Sequence, residues 1–182
     1  MKIGIGGIKF SPELVQYTHH ALSPADRSLA DLLRCLTERR INLPFLCACS
    51  ADGGTLSTFC VAAGDVNQVE MLLAANAMPC DTEHPQFRSG VSVRDQLQII
   101  HGVGTLTLFP HRRSLALLGR VVEILGQSGM SIHSLCTSIS ALAINIDFVL
   151  LDQAVEVLEK IVELPHNHAP FRPEFCVRQI SL

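Results

Sequence analysis

The sequence contains no tryptophan, one tyrosine and only 17% charged residues, with 14 lysines and arginines against 17 aspartates and glutamates. A net charge of −3 provides no basic surface, and few rings are present on which bases could stack, so we expect no binding to nucleic acid. No apolar run approaches the roughly 20 residues of a membrane span, and early glycines make the N-terminus unlike a secretory signal. These absences predict a cytoplasmic protein that does not associate with membranes.

Cysteine and histidine are the residue types best suited to metal or redox chemistry. Seven cysteines are present, an odd number that does not suit a disulfide framework. Cys47 and Cys49 share one side of a predicted strand, and we interpret them as small buried hydrophobic residues rather than a metal or redox pair. Among eight histidines, His166 and His168 near Glu163 are the best-spaced ligands, so a His-dependent metalloenzyme stays an alternative. No nucleophile signature is recognisable, and we predict no catalytic residue, no cofactor and no metal ion.

The strongest pattern in the chain is an internal repeat. Leu29–Cys47 aligns without gaps on Leu118–Cys136 at an offset of 89 residues. His84–Arg94 and His168–Arg178 share His, Phe, Arg, Val and Arg at identical spacing. Such a repeat predicts two copies of one small domain. We place them at residues 1–95 and 96–182, and strand exchange at the termini and around residues 91–103 stays open.

Each unit has the predicted order strand, helix, strand, strand, helix, strand. Leucines at helical spacing predict a helix over Ser28–Arg40, and its counterpart is Ser114–Gln127. The predicted strands are Glu13–His20, Phe45–Ser50, Thr55–Ala62 and Val91–Arg94 in the first unit, and Gly104–Phe109, Ser131–Thr137, Ala141–Leu150 and Phe175–Ser181 in the second. Right-handed crossovers place both helices on one face of a mainly antiparallel four-stranded sheet. The predicted fold class is therefore α+β, with two ferredoxin-like βαββαβ units.

Several short motifs resemble the paired ACT domains at the C-terminus of aspartokinases. These motifs are Gly4–Gly7, Leu14–Tyr17, Arg39–Leu43, Ser128–Ile132, Cys136–Ser138 and Ala143–Ile146. The resemblance covers nearly the whole chain and includes no kinase domain, so it implies a non-catalytic regulatory protein rather than an enzyme. It also implies allosteric regulation, a homodimer and, as a candidate partner, an amino-acid biosynthetic enzyme. A ligand-free assembly module or partner subunit is the alternative.

The resemblance further implies a site for a small amino acid or related carboxylate, formed at an interface between units by the loop that leads into the first helix. Amide groups at a helix start attract a carboxylate, and both loops place arginine beside serine. The residues assigned to the site are Ser23, Asp26, Arg27 and Ser28 in one loop, Pro110, His111, Arg112, Arg113 and Ser114 in the other, and Ile132 and His133 before a strand. Pro44 and His133 occupy the position where the family often has an acidic residue.

Overall fold

The computed structural model describes residues 2–21, 28–51, 54–74, 97–110 and 115–165. The chain forms two compact units. The inserted unit is Leu14–His101, and the outer unit combines Met1–Glu13 with Gly102–Leu182. Across the described ranges, no helix has both the length and the apolar character needed to cross a membrane.

The described strands and helices are β1 (Ile3–Gly4), β2 (Gly7–Phe10), β3 (Leu14–Ala21), α1 (Ser28–Glu38), β4 (Phe45–Ala51), β5 (Gly54–Ala62), α2 (Val66–Ala74), β6 (Leu97–Phe109), α3 (Leu115–Gln127), β7 (Ser134–Thr137), β8 (Leu142–Asp147), α4 (Leu151–Leu158) and β9 (Val162–Glu163). From β3 to α4, they follow the predicted order, but β6 begins seven residues before the predicted Gly104, and β1, β2 and β9 are additional strands. A short 3-10 turn precedes α2 at Ala63–Asp65 and another precedes α4 at Phe148–Leu150.

In the inserted unit, the strand order is β4-β5-β3-β6, with Leu97–His101 as the part of β6 that belongs to this unit. The β3–β5 and β4–β5 pairs are antiparallel. Alternate strand residues such as Tyr17 and Phe59 pack with Leu32 and Leu36 of α1 and Val69 of α2 in one buried cluster. Both helices therefore cover the same face of the sheet, because strand side chains alternate between faces.

In the outer unit, the strand order is β7-β8-β6-β2. Leu106 and Ile144 form a single buried cluster with Leu117 of α3 and Leu158 of α4. The predicted α+β class with ferredoxin-like units is confirmed. The fourth strand of this unit is β2, which pairs antiparallel with the end of β6 from Gly7 opposite Phe109 to Phe10 opposite Leu106.

The N-terminal segment lies in the outer unit, at a terminus where the sequence leaves strand exchange open. Met1–Glu13 belongs with residues 102–182, not with the first repeat, because Ile8 and Phe10 are buried in the outer unit's core. Leu97–His101, which lies outside the simple repeat in sequence, supplies a strand to the inserted unit. The predicted boundary between residues 95 and 96, the predicted strands Val91–Arg94 and Phe175–Ser181, and the His84–Arg94 and His168–Arg178 motifs lie outside the described residues.

The ends of the first helices show how closely the two units correspond. Ile41 N–H donates to Leu36 O and Arg40 N–H to Thr37 O, while Arg40 adopts a left-handed φ of 58°. At an offset of 89, Met130 N–H donates to Leu125 O, Gly129 N–H donates to Gly126 O, and Gly129 has φ 72°. Both helices thus end in the same Schellman motif, in which glycine is the favoured left-handed residue.

Candidate functional site

A row of polar side chains crosses the helix-free face of the outer sheet. Thr105 of β6, Asn145 of β8 and Ser134 of β7 are aligned by strand register. Thr105 Oγ1 donates to Asn145 Oδ1 at 2.6 Å, and Asn145 Nδ2 donates to Ser134 Oγ at 2.8 Å. Asn145 is completely buried. Its amide has partners on both sides, which offsets the cost of removing it from water.

A half-buried acid–imidazole pair lies next to this row. His133 Nε2 donates to Asp147 Oδ1 at 2.8 Å, and the backbone N–H of His133 donates to Asn145 O at 2.8 Å. The His133 side chain is 17% exposed, and that of Asp147 is 45% exposed. We call His133, Asp147, Asn145, Thr105 and Ser134 the polar corner. Its solvent-facing group is the Asp147 carboxylate, which can accept further hydrogen bonds from a cationic ligand.

The other end of the outer sheet carries the described part of the predicted ligand loop. β6 ends at Phe109, and Pro110 is exposed. A Cβ on Gly6 would overlap Cδ of Pro110, so only glycine allows the N-terminal segment to pass this closely. Lys9 Nζ lies 4.7 Å from the centroid of the Phe109 ring. This end therefore has a cationic and aromatic surface beside Pro110.

The predicted site residues that the structure describes do not converge within one unit. Thr105, Asn145 and Ser134 share one level of the sheet, and Leu108, Leu142 and Thr137 share another. His133 is thus level with Gly104, whereas Pro110 lies six residues further along β6, a distance of about 20 Å at 3.3 Å per residue. Ile132 is half-buried beside His133. Ser23, Asp26, Arg27, His111, Arg112, Arg113, Ser114 and the Ser28 side chain lie outside the described residues.

The equivalent corner of the inserted unit has no charged side chain at the matching positions. Strand register aligns Gln16, Cys60 and Phe45 where the outer unit has Thr105, Asn145 and Ser134. Pro44 and Ala62 stand where the outer unit has His133 and Asp147. Gln16, Cys60 and Phe45 are all buried. Only the outer unit therefore presents a carboxylate at this corner.

The cysteines differ in exposure more than we expected. Cys35 and Cys60 are buried, Cys47 and Cys136 are half-buried, and Cys49 is exposed. The interpretation of Cys47 and Cys49 as buried hydrophobic residues is therefore wrong for Cys49. In the part of the chain that the structure describes, no group of three or more His, Cys, Asp or Glu side chains could hold a metal ion. His166 and His168 lie outside that part.

Comparison with solved structures identifies many similar folds. The regulatory subunit of aspartate kinase from Thermus thermophilus, in its ligand-free form, superposes with a TM-score of 0.67 at 11% identity, covering 87% of this chain and 99% of that one. Aspartokinase alpha and beta subunits give a TM-score of 0.66 at 16% identity, over 86% of this chain and 97% of the other. The fold is similar to that of aspartate kinase regulatory subunits.

The similarity extends to part of a longer aspartate kinase chain. Aspartate kinase from Synechocystis superposes with a TM-score of 0.69 at 15% identity, covering 91% of this chain but 28% of the kinase. No family model and no curated protein matches the sequence. At these identities the similarity is one of fold, and it confirms the resemblance to the aspartate kinase regulatory region that the sequence motifs predicted.

Sequence reasoning did not single out Asn145 and Asp147 as members of a site. The signal was present in β8, where Leu142, Ile144 and Ile146 alternate with Ala143, Asn145 and Asp147. An amide and a carboxylate on one side of an otherwise apolar strand indicate a polar patch on that face. The approach of Asp147 to His133 joins residues 14 positions apart, which no local motif predicts.

Proposed function

We propose that this protein is a non-catalytic regulatory protein that binds a small amino acid or related carboxylate where two ACT-like units meet. The observation that carries the proposal is the fold, which is similar to regulatory subunits of aspartate kinase over 86–87% of this chain. Ligand binding acts by favouring one arrangement of units, because a ligand shifts an equilibrium only by its differential affinity for the states.

The geometry of the outer unit supports a site shared between units rather than one within a unit. Pro110 and His133 lie at opposite ends of the sheet, about 20 Å apart along the strands. A single amino acid is too short to touch both ends. A second unit therefore brings its own helix-start loop to the polar corner, and we propose that a second copy of the chain supplies that unit, in a homodimer.

The charges suit the two ends of an amino acid. The loops carry Arg27, Arg112 and Arg113 beside serines at helix starts, which favours a carboxylate there. At the polar corner, Asp147 supplies an anionic group for an ammonium. His133 stands where the family often has an acidic residue, and Asp147 on β8 supplies a carboxylate beside it.

A thermal-shift panel of the amino acids tests the proposal. We expect saturable stabilisation by at least one amino acid, since a ligand that binds only the folded state raises the melting temperature. Asp147→Asn and Arg113→Ala should each abolish that shift. Glu156→Gln on the exposed face of α4 removes one negative charge without touching the polar corner and should leave it unchanged. A flat panel favours the ligand-free assembly module instead.

A further inference from the structure

The most exposed thiol of the described chain has a second thiol beside it. Cys47 and Cys49 are two residues apart on β4, so both side chains project from the same face of the sheet. β4 ends the strand order of the inserted unit, with β5 as its one described neighbour. Cys49 is exposed and Cys47 is half-buried.

The spacing of the two thiols fits a bridging ion better than a direct sulfur–sulfur bond. Residues two apart on a strand have Cα atoms about 6.6–6.8 Å apart, at the upper limit of the range for disulfides. An ion with metal–sulfur bonds of about 2.3 Å spans sulfurs up to about 4.6 Å apart. Staggered χ1 rotamers that turn the two side chains toward each other can bring the sulfurs to that separation without a change in β4.

The surroundings of the pair select the class of ion. Strand register puts Thr58 beside Cys47 and Leu56 beside Cys49. His20 lies on the same row as Cys49 but two strands away, about 10 Å. Within the described residues no cluster supplies the four ligands that structural zinc requires. Copper(I) is a soft ion that two thiolates satisfy.

We propose that Cys47 and Cys49 form a copper(I)-binding dithiolate on the edge strand of the inserted unit. Binding breaks two S–H bonds and forms two Cu–S bonds, releasing two protons and changing no oxidation state, because the ion enters as copper(I). This site is independent of the amino-acid site. The repeat offers an internal comparison, because the residue equivalent to Cys47 is Cys136, and β7 ends one residue after it, before Ser138.

Anaerobic titration of the full chain with copper(I), in competition with the chromophoric chelator bicinchoninate, tests the proposal. We expect one ion per chain to be withdrawn from the chelator. Cys47→Ser and Cys49→Ser should each weaken binding about 100-fold or more, because the second thiolate binds intramolecularly at a high effective concentration. Cys136→Ser is the matched single-thiol control and should bind as the wild type does.

Cys80→Ser/Cys176→Ser tests the two cysteines outside the described residues and should also leave binding unchanged. Thermal unfolding of each variant separates loss of the site from loss of the fold. Cys49→Ala is a second substitution at the exposed cysteine and is measured in the same way. Wild-type protein that fails to compete with the chelator overturns the proposal. So does retention of wild-type affinity in folded Cys47→Ser and Cys49→Ser.

Discussion

The two units have the same arrangement of strands and helices, but equivalent positions carry different side chains. On the helix-free face, the outer unit has the hydrogen-bonded row Thr105, Asn145 and Ser134, where the inserted unit has Gln16, Cys60 and Phe45. The fold therefore does not require a polar row at this place. Of the two units, the outer one alone has the polar corner, so one shared architecture carries two different surfaces.

The helix-covered faces differ in a compensating way. Gly104 of β6 lies under Leu151, the first residue of α4. The equivalent pair in the inserted unit is Val15 of β3 and Val66, the first residue of α2. One unit combines a glycine with a leucine and the other combines two valines. At these equivalent positions the two units thus divide the side-chain volume differently between strand and helix.

Introducing the inserted unit's valine at the outer unit's glycine should change the free energy of unfolding more than any other substitution proposed for this comparison. A Cβ at position 104 would lie 2.6 Å from Cδ1 and 2.9 Å from Cγ of Leu151, so Gly104→Val overpacks the outer core. We expect a loss of about 3 kcal/mol in the free energy of unfolding, measured by urea denaturation. Gly104→Val/Leu151→Val recreates the inserted unit's pair and should recover at least about half of that loss.

Gly119→Val is the matched control, because a Cβ there meets no atom within 4 Å. It should change the free energy of unfolding by less than about 0.5 kcal/mol. If the double variant is as unstable as Gly104→Val alone, a smaller residue on the helix does not compensate for a larger residue on the strand.

Replacing Asn145 by the cysteine of the other unit tests the polar row. In Asn145→Cys, Thr105 Oγ1 loses its acceptor and Ser134 Oγ loses its donor. We expect a loss of about 2 kcal/mol in the free energy of unfolding, because the buried Thr105 hydroxyl loses the acceptor of its 2.6 Å hydrogen bond. Cys60→Ala at the equivalent position removes only one buried sulfur and should cost about 1 kcal/mol. A smaller loss in Asn145→Cys than in Cys60→Ala contradicts this account of the row.

The elements that sequence predicts well are those whose cause is local. Leu32 and Leu36, like Val121 and Leu125, recur at helical spacing and face the cores of their units. The alignment at an offset of 89 even matches Arg40 with Gly129, the two left-handed residues after these helices. Helix ends and repeat register follow from a few neighbouring residues.

Strand ownership and the polar corner depend on distant pairing. β2 joins the outer unit because Gly7–Phe10 pairs with the end of β6, about one hundred residues later in the chain. The predicted strand Ala141–Leu150 ends early because Phe148–Leu150 turns into α4. For the same reason, the approach of Asp147 to His133 had to be seen in the structure. The loops that carry most of the predicted ligand residues stay a prediction.

The smallest effect at neutral pH concerns the core of the inserted unit. Tyr17 stacks on Phe59 with ring centroids 5.2 Å apart, where the outer unit pairs Leu106 with Ile144. The Tyr17 hydroxyl is buried and has no hydrogen-bond partner among the described residues. Because an unpaired buried hydroxyl stabilises nothing, Tyr17→Phe should leave the free energy of unfolding at pH 7 unchanged or raise it by up to about 1 kcal/mol.

Alkaline pH should increase the difference in the free energy of unfolding between the wild type and Tyr17→Phe. Burial, and secondarily the negative charge of Glu70, raises the pKa of Tyr17 from 10.0 to about 12. The unfolded chain therefore releases the phenolic proton first, so the wild type keeps its full stability below pH 10 and loses part of it as the pH rises toward 12. Tyr17→Phe should lack this component of the pH dependence, which urea denaturation at stepped pH measures. Because Tyr17 is the one tyrosine of the chain, its tyrosinate absorption reports the titration directly, and a wild-type midpoint near pH 10 would contradict the buried hydroxyl.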